Sequence, residues 1–301
     1  MKFYLGCSGW SYEGWKGTFY PNNLDNKYWL SYYSNIFKFV EVDSTFYRIP
    51  SHIMVQNWFK RTPDNFKFAV KFPKEITHDK RNLSSLSEKL NSFYKVMKPL
   101  QKKIVAFLIQ LPPWLNIVKG LEFLESMEYQ LDNSYRYAIE TRHTSWFNEL
   151  AYNYFKKNNY CLVWSQRDKL VTPPIVTTDF VYLRLIGNRS IDEKNFGKIM
   201  VDRTDEMQLW SKMLLDIQRK ETNVNMAIVS ANNHYAGFGP ESAKLLSEML
   251  NQEDKINKFP LHDYKIPNHL FENTKFGNNY KINKELNSKR KRQTEISEFF
   301  K

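Results

Sequence analysis

Residues 137–165, YAIETRHTSWFNELAYNYFKKNNYCLVWS, decide the fold. A short β-branched and aromatic run (137–141) gives way to an amphipathic stretch with helical spacing (148–157), then to a second strand-like run (161–165). A strand, a helix and a strand this close together make a crossover that joins parallel strands. The same alternation extends both ways. Upstream lie KFYLG (2–6), KFVEV (38–42), FKFAVKF (66–72) and IVAFLIQL (104–111); downstream lie VYLRLI (181–186) and NMAIVS (225–230). Helix-like stretches fall near 28–37, 53–61, 85–101, 121–131, 205–219 and 241–251, whereas 168–180 is helix-poor. Eight strands alternating with helices predict an α/β chain built as a single (β/α)8 TIM-like barrel, for which about 250 residues is ordinary.

After residue 251 the periodicity fades into a mixture of Pro, Asn and Lys with scattered aromatics. The expected organisation is therefore a barrel over 1–270 and an irregular C-terminal extension over 271–301 that ends in an exposed tail. With 42% hydrophobic and 16% aromatic residues, the chain has material for a sizeable core, which excludes wholesale disorder. No stretch approaches eighteen uncharged apolar residues, so no membrane association is expected. The chain opens on a strand-like run rather than a signal-peptide pattern, which predicts a cytoplasmic protein. Cys7 and Cys161 lack any metal or disulfide spacing and read as packed, reduced thiols. A net charge of +12 favours a polyanion partner such as nucleic acid, and only +4 of it falls in 281–301. The folded body is thus basic in its own right.

Barrel strands alternate side chains in and out, and barrel active sites lie at the strands' C-terminal ends. Parity then places Glu41 with Asp43, Lys71 with Ala69, Gln110 with Ala106 and Leu108, Glu140 and Arg142 with Ala138, and Arg184 with Tyr182. The opposite parity is mostly Val, Ile, Leu and Phe, suited to the layer beneath the helices. The polar set points into the barrel mouth, where buried charges must pair with one another. Such a cluster is either catalytic or a salt-bridge lattice that plugs the barrel.

Loops add candidates. GCSGWSYEGWKGTFYP (6–21) sets glycines among Trp10, Tyr12 and Trp15, rings that either stack on a base or sugar or simply cap the barrel. SANNHYAGFGP (230–240) places Asn232, Asn233 and His234 at a helix start, suited to an anion or to capping the turn. His143 also falls at a strand end. A divalent metal held by His143, His234, Glu140 and Asp43 is an open alternative, without supporting ligand spacing.

These segments, with EVDSTFYRIP (41–50), FKFAVKFP (66–73), IQLPPW (109–114), YAIETRHTSWF (137–147), DFVYLRLIG (179–187) and ANNHYAGFGP (231–240), resemble the domain-of-unknown-function 72 family, the YecE-like proteins. The resemblance covers most of the first 250 residues and implies a TIM-like barrel with a polar cavity at its C-terminal mouth. It implies no reaction. Asp43 stands where the family's EVNSTFY form has Asn, adding a negative charge to the mouth.

A second resemblance lies at Gln293-Thr-Glu-Ile296-Ser-Glu-Phe299-Phe300, which is similar to the PIP box, the short peptide that binds the sliding clamp PCNA. In that motif Gln293 would enter a polar pocket while Ile296, Phe299 and Phe300 form an apolar plug. Alternatively, Ile296, Phe299 and Phe300 form a terminal helix docked on the barrel. The resulting expectation is a clamp-associated protein of DNA replication or repair, a metal-dependent hydrolase or nuclease acting on nucleic acid or nucleotides. Lys71, Arg142 and Arg184 would hold phosphate, with Gln110, Asn232 and Asn233 as further ligand contacts. Glu140, Asp43, Glu41 and His143 would supply acid–base or metal-ligand function, and Trp10, Tyr12 and Trp15 would stack a base. A non-catalytic clamp-recruited adaptor and a small-molecule phosphate or sugar enzyme with an incidental tail are the alternatives.

Overall fold

The structure, a computed structural model, describes residues 1–78, 85–220, 223–252, 256, 259–260 and 264–267. The chain divides into two units, Met1–His262 and Asp263–Lys301, and the fold below is that of the first. The PIP-box-like residues 293–300 lie outside the described residues.

Among the described residues ten strands form one sheet: β1 (Lys2–Ser8), β2 (Phe39–Val42), β3 (Lys67–Lys71), β4 (Ile104–Gln110), β5 (Tyr137–Glu140), β6 (Tyr160–Leu162), β7 (Trp164–Arg167), β8 (Leu170–Val171), β9 (Phe180–Leu185) and β10 (Met226–Ala231). Their order is β6-β5-β4-β3-β2-β1-β10-β9-β7-β8. Every pairing is parallel except that of β7 with β8. The sheet curls. Tyr4, Phe39, Ala69, Ala106, Ala138, Cys161, Tyr182 and Ile228, drawn from both ends of the strand order, meet in one buried cluster. The Phe39 and Tyr182 rings meet edge to face at 6.5 Å across it.

The sixth expected strand is two. β6 pairs with β5 and β7 with β9, and between them Val163 donates its N–H to the Ile139 carbonyl at 3.0 Å. The 168–179 connection contains β8 and no helix. The observed architecture is thus an α/β fold around a curled ten-stranded sheet.

The helices are α1 (Trp29–Ile36), α2 (His52–Lys60), α3 (Lys74–Thr77), α4 (Leu86–Met97), α5 (Ile117–Glu128), α6 (Glu149–Lys157), α7 (Thr204–Lys220), α8 (Asn233–Ala236) and α9 (Gly239–Met249). Apolar spacing explains which face each buries: α4 turns Leu86, Leu90, Phe93 and Met97 inward. Caps fix where they start, as Ser51 and Asn148 accept from the Met54 and Ala151 amides at 3.2 and 3.1 Å. α5 begins four residues before the expected 121, because the Asn116 side chain caps it through the Lys119 amide. Gly120 in its first turn lowers helix propensity, yet a side chain there would collide with Trp146: an added Cβ would lie 2.1 Å from that ring. Cys7 and Cys161 are buried and unpaired. No described helix is long and apolar enough to cross a membrane.

Candidate functional site

Above the apolar interior, at the strands' C-terminal ends, the inward positions turn polar. β1 contributes Ser8, β2 Glu41, β3 Lys71, β4 Gln110, β5 Glu140, β7 Arg167, β9 Arg184 and β10 Ser230. Strand register brings neighbours level: Ser8 with Glu41, Gln110 with Glu140, and Ser230 with Arg184.

Arg184 is the hub. Its Nε and Nη2 donate to Glu41 Oε2 and Oε1 at 2.8 and 2.6 Å, and its Nη1 donates to Glu140 Oε2. Glu41 also accepts from Tyr182 Oη at 2.7 Å and Ser8 Oγ at 2.8 Å. Ser8 Oγ is in turn 2.8 Å from Ser230 Oγ. Glu140 accepts from Gln110 Nε2 at 2.8 Å and from Arg167 Nη2 at 2.9 Å. Gln110 Oε1 receives Lys71 Nζ at 3.0 Å. Both glutamates are fully buried.

Burial alone would push both carboxyls up, but Arg184, joined at Glu140 by Arg167 and Lys71, outweighs it and holds both below the usual carboxylate range. Glu41 and Glu140 thus stay ionised at neutral pH. The groups poised to exchange protons are their neighbours. Burial, reinforced by the charge of Glu41, pushes the Asp43 carboxyl up. Burial, reinforced by Arg184, pushes the Lys71 ammonium down to about 8.

Lys71, Asp43, Gln110, Arg167 and Arg184 line a cavity of about 430 Å³, whose outer wall includes Arg189. That volume suits a small ligand. Glu41 and Glu140 lie behind this wall, paired with arginines. Lys71 and Arg189 reach the wall without a carboxylate within 4 Å among the described residues. A larger cavity, about 680 Å³, opens at the opposite end of the strands among Lys2, Tyr4, Lys38 and Arg219. No acidic group lines it among the described residues, so size alone does not mark the chemistry.

The remaining expected site residues divide. Tyr12, Asn232 and His234 line the cavity. Tyr12 Oη donates to the Ser8 carbonyl at 2.7 Å, and Asn232 caps α8 through the His234 amide at 2.9 Å. Burial and the nearby Arg189 push His234 down. Trp15 is fully buried, and its Nε1 donates to Asn233 Oδ1 at 3.0 Å, so the two pin the β1 loop to the β10 loop instead of facing the cavity. Trp10 packs edge to face on Trp58 at 5.5 Å. His143 caps the turn after β5, its Nδ1 accepting the Ser145 amide at 3.1 Å, and neither it nor Arg142 lines the cavity. Burial, then Arg167, lowers Arg142. His143, His234, Glu140 and Asp43 do not form a ligand set: among the described residues no group of three or more His, Cys, Asp or Glu could hold a metal ion.

Sequence reasoning missed Ser8, Ser230, Arg167, Phe46 and Arg189. Parity from Tyr4 and Gly6 reaches Ser8, and parity from Val163 reaches Arg167, two residues past the expected strand end. Phe46, whose ring centroid lies 3.9 Å from Lys71 Nζ, ends a single 3-10 turn, Ser44–Phe46, and Arg189 sits on a loop, both too short or irregular for a periodic signal.

Residues 4–264 match the family model described as "Protein of unknown function DUF72". The chain is 30% identical over 155 residues to the UPF0759 protein YunF of Bacillus subtilis (strain 168), covering 50% of this chain and 54% of that protein. It is 29% identical over 147 residues to the UPF0759 protein YecE of Escherichia coli (strain K12), covering 48% and 50%. The chain thus spans about half the length of the curated relatives it matches. The crystal structure of a DUF72 family protein from Thermotoga maritima MSB8 is similar with a TM-score of 0.70 at 27% identity, covering 84% of this chain and 100% of that one. A DUF72 family protein from Enterococcus faecalis V583 shares the fold with a TM-score of 0.69 at 24% identity, covering 86% and 99%.

Proposed function

The chain belongs to the DUF72 family, whose function is unassigned, and on that premise we propose that it is an enzyme acting on a compact anionic substrate of nucleotide or sugar-phosphate size. The observation that carries this reading is the wall of the 430 Å³ cavity, where Lys71 and Arg189 face the space with no carboxylate within 4 Å among the described residues. A phosphate or carboxylate supplies the missing counter-charge. In this reading β6, Val163 and β7 are one interrupted strand, which makes the curled sheet a closed (β/α)8 barrel with the cavity at its mouth. Glu41 and Glu140 fix Arg184 and Arg167 in place. Proton transfer falls to Asp43 and Lys71, whose environments push them toward neutrality.

Calorimetric titration with inorganic phosphate, a nucleoside monophosphate and a sugar phosphate tests this. Binding that weakens at least about tenfold in Arg189→Ala supports the reading, and no heat from any of the three removes it.

The match of Gln293, Ile296, Phe299 and Phe300 to a clamp-binding peptide favours a second reading. Recruited to PCNA, the enzyme would hydrolyse nucleic acid or nucleotides during replication or repair in the cytoplasm, or the body would serve as an adaptor. Titrating the sliding clamp of the same organism with the full-length protein decides it: loss of binding in a Gln293→Ala, Phe299→Ala, Phe300→Ala variant supports recruitment, and no binding by the unaltered protein ends it.

A further inference from the structure

We infer that Lys71 is a nucleophile that forms an imine with its substrate, so that the mouth takes an aldehyde or ketone bearing an anionic group. This rests on the anion-binding reading of the cavity and deepens it.

Geometry is the first support. Lys71 ends β3 and is 7% exposed, at the cavity wall. Its carbonyl accepts from Thr45 Oγ1 at 2.6 Å, which fixes the backbone beneath the side chain. Around Nζ stand one hydrogen-bond acceptor, Gln110 Oε1 at 3.0 Å, and the face of the Phe46 ring, 3.9 Å from its centroid. Of the three N–H groups of an ammonium, one has an acceptor among the described side chains and the others face the cavity. A protonated imine has a single N–H, which Gln110 satisfies, and keeps the positive charge that the Phe46 face attracts. The site therefore accommodates the product cation as well as the free ammonium.

Chemistry is the second support. Every other interior cation of the cluster is committed: Arg184 to two glutamates and Arg167 to one. Lys71 has no such partner, and burial beside Arg184 leaves its amine partly unprotonated near neutral pH. Asp43 lines the same cavity and holds a proton more firmly than an ordinary carboxyl.

The Lys71 ammonium gives one proton through solvent to Asp43; the freed Nζ lone pair bonds to the carbonyl carbon, the C=O π pair moves to oxygen, and a proton passes from nitrogen to that oxygen to give the neutral carbinolamine. Asp43 then protonates the carbinolamine hydroxyl, the C–O bond breaks with release of water, and the nitrogen lone pair forms C=N. In sum, carbonyl and ammonium give iminium and water, with no change of oxidation state. The iminium withdraws electrons from the adjacent carbon, preparing it for proton loss or C–C cleavage. Arg189 on the outer wall is placed to take the anionic group.

Trapping tests this. The full-length protein is incubated at pH 8 with glyoxylate, pyruvate or dihydroxyacetone phosphate, each with sodium borohydride, and labelled lysines are mapped by peptide mass spectrometry. The expected result is a reduced adduct on Lys71 exceeding that on any surface lysine by at least about tenfold, with at least one probe. In Lys71→Arg the total adduct falls to the level of the surface lysines, while the melting transition persists because the cation is kept. Adducts spread evenly over surface lysines with all three probes overturn the imine. If phosphate still binds in that case, the anion-binding reading survives alone; if phosphate also fails to bind, both fall.

Discussion

With three nitrogens on two fully buried carboxylates, Arg184 is the one cation that Glu41 and Glu140 both bond, and Glu140 has Arg167 besides. Arg184→Met is expected to cost about 3–5 kcal/mol in urea unfolding at neutral pH, since both carboxylates would be buried without it. Both glutamates have folded-state values below their unfolded ones. Their contribution is therefore complete above the unfolded carboxylate range near pH 4.5 and is lost as pH falls below it, so the gap between variant and unaltered protein narrows in acid. A constant gap down to pH 3 would refute the assignment. Lys71 runs the other way. Its folded value of about 8 lies below the unfolded 10.5, so the unfolded chain binds more protons between these limits and stability rises with pH there. Below pH 8 the cost of burying the ammonium is fully present. Relative to Lys71→Met, the unaltered protein should gain about 3 kcal/mol between pH 8 and 10.5, read from parallel urea titrations. No relative gain would mean that Lys71 is not held as described.

At the scale of elements, helices and strands meet through a few contacts that tolerate no added atom. Trp146 lies against Gly120 of α5 and donates its Nε1 to the Leu115 carbonyl at 2.9 Å. Gly120→Ala removes a helix-weakening glycine, yet forces a rigid ring to move. We expect net destabilisation of about 1–3 kcal/mol and a shifted tryptophan near-ultraviolet signal; an unchanged melt and spectrum would contradict this packing. The eight-run alternation was legible because strand and helix periods are written in apolar spacing. So was most of the polar layer, because parity in a strand is a two-residue rule: Glu41, Lys71, Gln110, Glu140 and Arg184 all take the inward side it assigns. The interruption at Val163 was not legible, since a register change between two neighbours leaves the run CLVWS unbroken in sequence. Nor were the roles of Trp15 and His143. A tryptophan in a glycine-rich loop reads alike whether it stacks on a ligand or donates to Asn233, and a histidine at a strand end reads alike whether it binds metal or caps a turn.

For the whole molecule, the two parts proposed to bear function obey different physics. The mouth exists only because residues far apart in sequence, such as Glu41 and Arg184, are brought together by the sheet. The clamp binding proposed for residues 293–300 would need only consecutive residues and no such assembly, which is why that proposal rests on sequence alone. Charge links them, since the chain carries +12 and the basic run Lys289-Arg-Lys-Arg292 directly precedes the peptide. If the peptide binds the clamp, that run is held close to DNA passing through the ring, and each phosphate it neutralises adds to the salt dependence of binding. A variant ending at residue 270 should keep its melting temperature within about 2 °C, because it retains α9 and Phe259, whose ring packs on Phe19 and Phe238. On clamp-loaded DNA, the full-length protein should show a log–log salt slope steeper by about 3–4 than that of a Lys289→Ala, Arg290→Ala, Lys291→Ala, Arg292→Ala variant, which keeps the 293–300 peptide and loses only the four basic residues. Equal slopes with clamp binding intact would leave the run as a spacer. Equal slopes with no clamp binding would confine function to the mouth, where the cations lining the 430 Å³ cavity must find their anion unaided.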